Sequence, residues 1–312
     1  MNPQRLSHGP IVVPVVVLGH SVSRSSVGLS EQIESELVSY DLQTTWLLAE
    51  RVMADILQQI MVHKRAEVTA ARQEISVAEL QQQILAAPPV RDFGAALLRN
   101  HPMGLIAEVK RASPSAGLIR ADFSATEIAR TYVENGAACL SVLTDEKYFQ
   151  GHLSYLRLIR QTVDVPLLRK DFILDEYQIL EARAAGADCI LLIAECLDDA
   201  QLLDLFQVAV GLGMQALVEL HDAVNLERVL RLDPHLVGVN NRDLKIMKTN
   251  LQHCIELRSR VPENVIFVGE SGIHSRRDVE QLIAGNVHAM LVGETLMKSS
   301  DIGSKVRELL GT

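Results

Sequence analysis

Three observations predict an α/β protein built as a (β/α)8 TIM barrel with an N-terminal helical extension. Eight short apolar runs recur beyond Met103 at intervals of roughly 20 to 35 residues, with amphipathic stretches between them. Glycine punctuates several helix ends, as at Gly136, Gly186 and Gly285, and small residues lead back into the next run. Ionisable residues collect just after the apolar runs, at the strand ends where barrels carry their chemistry. An open doubly wound sheet is the alternative, but the chain has no GxGxxG and the count of eight favours closure. The pattern divides the chain into a poorly defined extension at 1–45, a helical cap at 46–102 and a catalytic barrel at 103–312.

Residues 1–45 resemble nothing that follows. Ile11–Leu18 is a short apolar run broken by Pro14, without a small-residue cleavage site, and it assigns no function; organelle targeting by this extension stays open. From Trp46 the pattern turns helical. Leu48, Val52, Ile56 and Ile60 recur every fourth residue, with Met53, Leu57 and Met61 beside them. A second helix is expected over Val77–Ala86, stopped by Pro88-Pro89. The pair reads as a cap over one end of the core, with no chemistry of its own.

The predicted strands are Leu105–Val109, Ala138–Leu143, Val165–Leu168, Cys189–Ile193, Ala216–Glu219, Leu236–Val239, Val265–Val268 and His288–Val292. The predicted helices are Ala125–Glu134, Leu153–Thr162, Glu176–Ala185, Asp199–Leu212, Ala223–Leu230, Asn250–Arg260, Arg276–Ala284 and Ile302–Leu310. Hydrophobic residues make up 48% of the chain and aromatics only 4%, which suits strands and helices packed through Ala, Leu, Ile and Val.

Composition also bounds function. A net charge of −9 argues against a nucleic-acid surface or a polybasic membrane patch. No apolar run approaches the ~20 residues of a membrane span. Cys139, Cys189, Cys196 and Cys254 form no CxxC and no zinc-like spacing with His, so no metal site is expected, and reduced thiols in a cytoplasmic protein are.

Period-two alternation puts Ile106, Glu108 and Lys110 on one face of the first strand. An acid and a base side by side at the end of an apolar strand are costly to bury alone. Other strand ends repeat the arrangement, with Lys170-Asp171, Glu219, Asn240-Asn241-Arg242, Glu270-Ser271-Gly272 and Gly293-Glu294. Each could be an ordinary rim ion pair; converging on one mouth, the set marks a site. The last two loops place small residues between a strand and a helix start, which suits an anion such as phosphate.

Six motifs then resemble those of the indole-3-glycerol phosphate synthase family. They are Glu108-Val-Lys110-Arg-Ala-Ser113-Pro114-Ser115, Leu143-Thr-Asp-Glu-Lys-Tyr-Phe149-Gln-Gly151, Arg169-Lys170-Asp171-Phe172-Ile173, Leu217-Val-Glu219-Leu-His-Asp222, Val239-Asn240-Asn241-Arg242-Asp243-Leu244 and Gly269-Glu270-Ser271-Gly272-Ile273. The resemblance runs from about Ile56 to the end, and Val90-Arg91-Asp92-Phe93 resembles the family's N-terminal extension. It implies a cofactor-free step of tryptophan biosynthesis on a phosphorylated small molecule, 1-(2-carboxyphenylamino)-1-deoxyribulose 5-phosphate. The products would be indole-3-glycerol phosphate, CO2 and water, and the protein a monomer or weak homodimer.

By the same resemblance Lys170 would be the general acid for ring closure. Lys110 would pair with the substrate carboxylate and stand as a second candidate acid for dehydration. Glu219 would be the general base, Glu108 would position Lys110 or share the proton traffic, and Asn240 and Arg242 would orient the substrate and the charged side chains. Ser113, Glu270, Ser271, Gly272, Leu291, Gly293 and Glu294 (the last by its backbone amide) would complete the binding site, most of them at its phosphate end, with Phe149 against the aromatic ring. Ala116 stands where the family often has Lys, so this loop is less basic. Two alternatives stay open. A phosphoribosylanthranilate isomerase-like barrel predicts a Cys/Asp pair at the mouth, and a non-catalytic phosphometabolite-binding barrel predicts loss of some strand-end ionisable groups.

Overall fold

A computed structural model describes residues 56–99, 102–242 and 249–312. The expected extension over 1–45, the start of the first helix and the motif residues Asp243 and Leu244 lie outside the described residues.

Eight parallel strands close on themselves. In chain order they are β1 (Gly104–Val109), β4 (Cys139–Leu143), β5 (Leu167–Lys170), β6 (Cys189–Ile193), β7 (Gln215–Leu220), β8 (Leu236–Asn240), β9 (Ile266–Glu270) and β10 (Ala289–Val292). Each pairs with its chain neighbour and β10 returns to β1, so among the described residues the barrel has no free edge. A two-stranded hairpin, β2 (Ala112–Ser113) and β3 (Gly117–Leu118), sits in the loop after β1.

The strands are apolar on both faces because both are covered. Ile106, Leu168, Leu191, Leu217, Leu236, Val268 and Leu291 point into the barrel and form one buried cluster. Leu105, Ala107 and Val109, offset by one residue, belong to the second cluster, beneath the helices. The outer layer is α4 (Ala125–Glu134), α6 (Leu153–Arg160), α7 (Glu176–Ala184), α8 (Asp199–Gly211), α9 (Leu226–Leu230), α10 (Leu251–Arg258), α11 (Arg276–Ala284) and α13 (Ile302–Leu310). Two single turns, α5 (Glu146–Phe149) and α12 (Glu294–Met297), stand at the mouth.

Among the described residues three helices precede the barrel, and they divide the capping expected of them. α1, described over residues 56–74, lines the mouth through Ile56, Leu57 and Ile60. α2 (Val77–Ala86) starts on a reciprocal Ser76–Glu79 capping box and packs Leu80 beside Tyr177 of α7. α3 (Phe93–Arg99) puts Phe93, Ala96 and Leu97 into the interior cluster at the opposite end.

The sequence pattern places most elements within two residues. It ends β5, β8 and β9 early, because the apolar run stops before the strand does. Lys170, Asn240 and Glu270 are the last residues of their strands, with Lys170 in register with Leu143 and Glu270 beside Asn240. The stretch expected as one helix over Ala223–Leu230 opens with a 3-10 turn at Ala223–Asn225 before α9. Gly136 and Gly186 take the left-handed conformation expected after a helix, at φ 105° and 90°. Gly285 does not; Asn286 takes it at φ 56°, and Gly285 is small because a side chain there would meet Ile255.

Candidate active site

The carboxyl ends of the strands open into one cavity lined by every residue singled out from the sequence as catalytic or binding. Its ionic centre comes from the inner faces of four strands. Lys170 Nζ lies 3.1 Å from Glu219 and 2.6 Å from Glu270, and Lys110 Nζ lies 2.6 Å from Glu108. All three glutamates are buried, where an unpaired carboxylate would be costly. Asn240 Nδ2 donates to Glu219 Oε1 at 3.3 Å, and Asn240 Oδ1 accepts from the Arg242 amide at 3.1 Å. Lys170, Glu219 and Asn240 therefore hold one another in place.

These contacts set the charge states. Burial pulls the Lys170 ammonium down, but Glu219, Glu270 and Glu108 outweigh it and hold the proton well above the ordinary lysine range. Burial, then the neighbouring Glu219, push Glu270 up to about 8 against the pull of Lys170. Burial also acts to raise Glu108, yet Lys110 and Lys170 together keep it below the usual carboxylate range. The centre is a charged lysine between two acids that compete for it.

Strand order fixes what flanks that centre. β4 and β5 lie across the barrel from β8 and β9. On the first side Phe149 of α5 and Phe172 after β5 stand with ring centroids 6.1 Å apart at 41°, beside Leu143 and α1. On the other, polar groups gather from β8, β9, β10 and the β1 loop. Ser271 and Gly272 have φ of 65° and 75°, consecutive left-handed residues that turn the chain sharply at the mouth. Ser113 Oγ lies 3.3 Å from Ser115 Oγ and accepts from the Ala116 amide at 3.2 Å, so it braces its own loop. Arg242 pairs with Glu294 Oε2 at 3.3 Å, and Lys298 meets the other oxygen at 2.6 Å. Leu291 forms part of the apolar floor.

The sequence reading missed several lining groups. Phe172 stands in the sequence only as part of a motif, and Ile56, Leu57 and Ile60 read as a cap without chemistry; both contribute to the cavity wall. None of the four cysteines lines the cavity, so the Cys/Asp arrangement of the isomerase alternative has no thiol here.

A family model described as indole-3-glycerol phosphate synthase matches residues 57–309. An indole-3-glycerol phosphate synthase of Rhodopirellula baltica is 50% identical over 257 residues, covering 82% of this chain and 99% of the relative. One from Legionella pneumophila strain Lens is 47% identical over 258 residues, covering 83% and 99%. Among solved structures, a 3-hexulose-6-phosphate synthase from Salmonella typhimurium superposes with a TM-score of 0.56 at 16% identity. It covers 67% of this chain and 97% of its own, a likeness of fold alone. With the family model spanning the barrel and α1, and relatives matched over nearly their whole length, the chain belongs to the indole-3-glycerol phosphate synthase family.

Proposed function

We propose that this chain makes indole-3-glycerol phosphate from 1-(2-carboxyphenylamino)-1-deoxyribulose 5-phosphate, with loss of CO2 and water. The observation that carries the reading is Lys170, paired with Glu219 and Glu270 in a cavity that an aromatic wall and a polar loop cluster also line. The substrate has matching ends. Its aryl ring suits Phe149 and Phe172, and its phosphate suits Ser113, Ser271, Gly272, Gly293 and the backbone of Glu294, with Arg242 and Lys110 as nearby cations.

Ring closure joins the carboxylate-bearing ring carbon to the ketone carbon. The carbonyl electron pair moves to oxygen, where the Lys170 ammonium polarises it and supplies a proton. Breaking the carbon–carboxylate bond releases CO2 and returns its electrons to the ring. Dehydration then needs a proton delivered to the former carbonyl oxygen and one taken from the adjacent carbon. Glu219 takes the latter, and Lys110 and Lys170 are the two acids within reach. Glu108 holds Lys110, Glu270 holds Lys170, and Asn240 orients Glu219.

In this reading residues 103–312 are the catalytic barrel and 46–102 a helical cap preceding it, while 1–45 take no part in the reaction. The protein works as a monomer or weak homodimer. Its four buried, unpaired thiols suit a reducing cytoplasm.

The test is indole-type fluorescence on mixing the purified chain with that substrate; the single tryptophan, Trp46, keeps the background low. Turnover in the wild type and a fall of ~10²- to 10⁴-fold in Lys170→Met are expected for loss of a general acid. No signal from the wild type refutes the reading, and a fully active Lys170→Met refutes the acid assignment.

A further inference from the structure

The apolar stripe of α1 runs through Ile56 and Ile60, and its next position, four residues on, is Lys64. Lys64 is only 4% exposed, and the stripe resumes at buried Val68. An ammonium in such a stripe needs charge from whatever it packs against. Its Nζ lies 2.9 Å from Asp145, 2.9 Å from Asp171 and 2.8 Å from Glu67. Both aspartates are buried as well.

Each aspartate leads to a different part of the cavity. Asp171 directly follows Lys170; its Oδ1 also accepts the Phe172 amide at 2.8 Å, while Oδ2 accepts from Thr144 at 2.5 Å and Arg169 at 3.1 Å. Asp145 caps α5, accepting the Tyr148 amide at 2.8 Å, and α5 carries Phe149. Lys64 itself does not line the cavity. Its removal leaves two buried carboxylates on one vacated spot, with like charge driving them apart.

We propose that Lys64 is a positioning residue: one buried ammonium seats Lys170 through Asp171 and Phe149 through Asp145. The role rests on the activity proposed above. It assigns to α1 a share in the geometry of the reacting groups, beyond closing the cavity.

Two variants of the full chain separate the arms. Lys64→Met loosens both and should lower kcat by ~10- to 100-fold and raise KM several-fold, as a misplacement on the order of 1 Å would. Asp145→Asn cuts only the arm to α5 and should raise KM about five-fold while kcat changes by less than about two-fold. Circular dichroism at the assay temperature establishes that each variant is folded. A folded Lys64→Met with wild-type kcat and KM overturns the role and leaves Lys64 a structural anchor. Should Lys64→Met fail to fold, Asp145→Asn decides alone, and an unchanged KM overturns it. A wild-type chain without turnover overturns the activity and this role together, whereas an active wild type beside an unimpaired Lys64→Met overturns only the role.

Discussion

Gly238 offers a sharp perturbation of the ionic centre without touching an ionisable group. It lies in the middle of β8, outside the left-handed backbone region, so conformational freedom is not why it is glycine. Space is the reason. A Cβ built there lands on Glu270 Oε1 and comes within 3.2 Å of Leu217 Cδ1. Neither neighbour can retreat easily, since Glu270 is 1% and Leu217 0% exposed. To admit the methyl of Gly238→Ala the carboxylate must move by roughly 1 Å, which opens its 2.6 Å contact with Lys170. A misplacement of about 1 Å passed on to Lys170 costs about 10²-fold, or about 2.7 kcal/mol of barrier. Overpacking should cost a further ~1–3 kcal/mol of stability. The assay pairs kcat from indole fluorescence with thermal unfolding. Shortening the acid in Gly238→Ala/Glu270→Asp should recover part of the stability, because it returns the space. A folded Gly238→Ala with kcat within about three-fold of wild type would refute the claim that Glu270 must sit where it does to hold Lys170.

Other expectations follow from the same structure. Gly293 stands against Glu108 as Gly238 stands against Glu270, so Gly293→Ala should impair turnover through Lys110; unimpaired turnover would make Glu108 dispensable as its holder. Glu219→Gln should lower kcat by ~10²- to 10⁴-fold with KM little changed, and an equal loss of binding would mark Glu219 as an orienting group. Burial pushes the Asp171 carboxyl up, but Arg169 and Lys64 bring it down to about 2 from an ordinary 3.8. The unfolded chain therefore binds that proton more tightly. The resulting stabilisation, about 2 kcal/mol, is full above about pH 4 and lost as pH falls through about 2. Urea unfolding at about pH 5 and about pH 2 should show this loss in wild type and a smaller one in Asp171→Asn; equal losses would contradict it. Burial pushes the Cys196 and Cys254 thiols up to about 12, and Cys139 and Cys189 are buried too. A disulfide reagent should label no thiol quickly in native protein and four in urea; rapid native labelling would contradict the packing.

The barrel was legible because parallel strands buried on both faces read as apolar runs, and the helices between them keep a regular spacing. The same rule misplaced the strand ends. Lys170, Asn240 and Glu270 look like loop residues by composition, yet each is held in the sheet by its neighbouring strand. The centre was legible as local motifs, since Glu108 and Lys110 share a strand face whatever surrounds them. What escaped was set by distant partners. Lys64 interrupts an apolar stripe, a visible signal, but nothing local identifies Asp145 and Asp171 as its partners. α3 is too short for its apolar face to announce that it plugs the barrel floor. Gly238 reads as an ordinary strand glycine, and Gly293 as a glycine of an anion loop, until the carboxylates beside them are seen.

In the proposed reaction one site both closes the ring and releases the carboxylate while keeping the phosphate bound in the product. Product stoichiometry tests this most directly, with substrate loss, CO2 release and the phosphorylated indole product followed in one reaction mixture. The expected result is one CO2 and one indole-3-glycerol phosphate for each substrate consumed, with no free inorganic phosphate. Consumption without CO2, or no consumption by the folded wild-type chain, would contradict it.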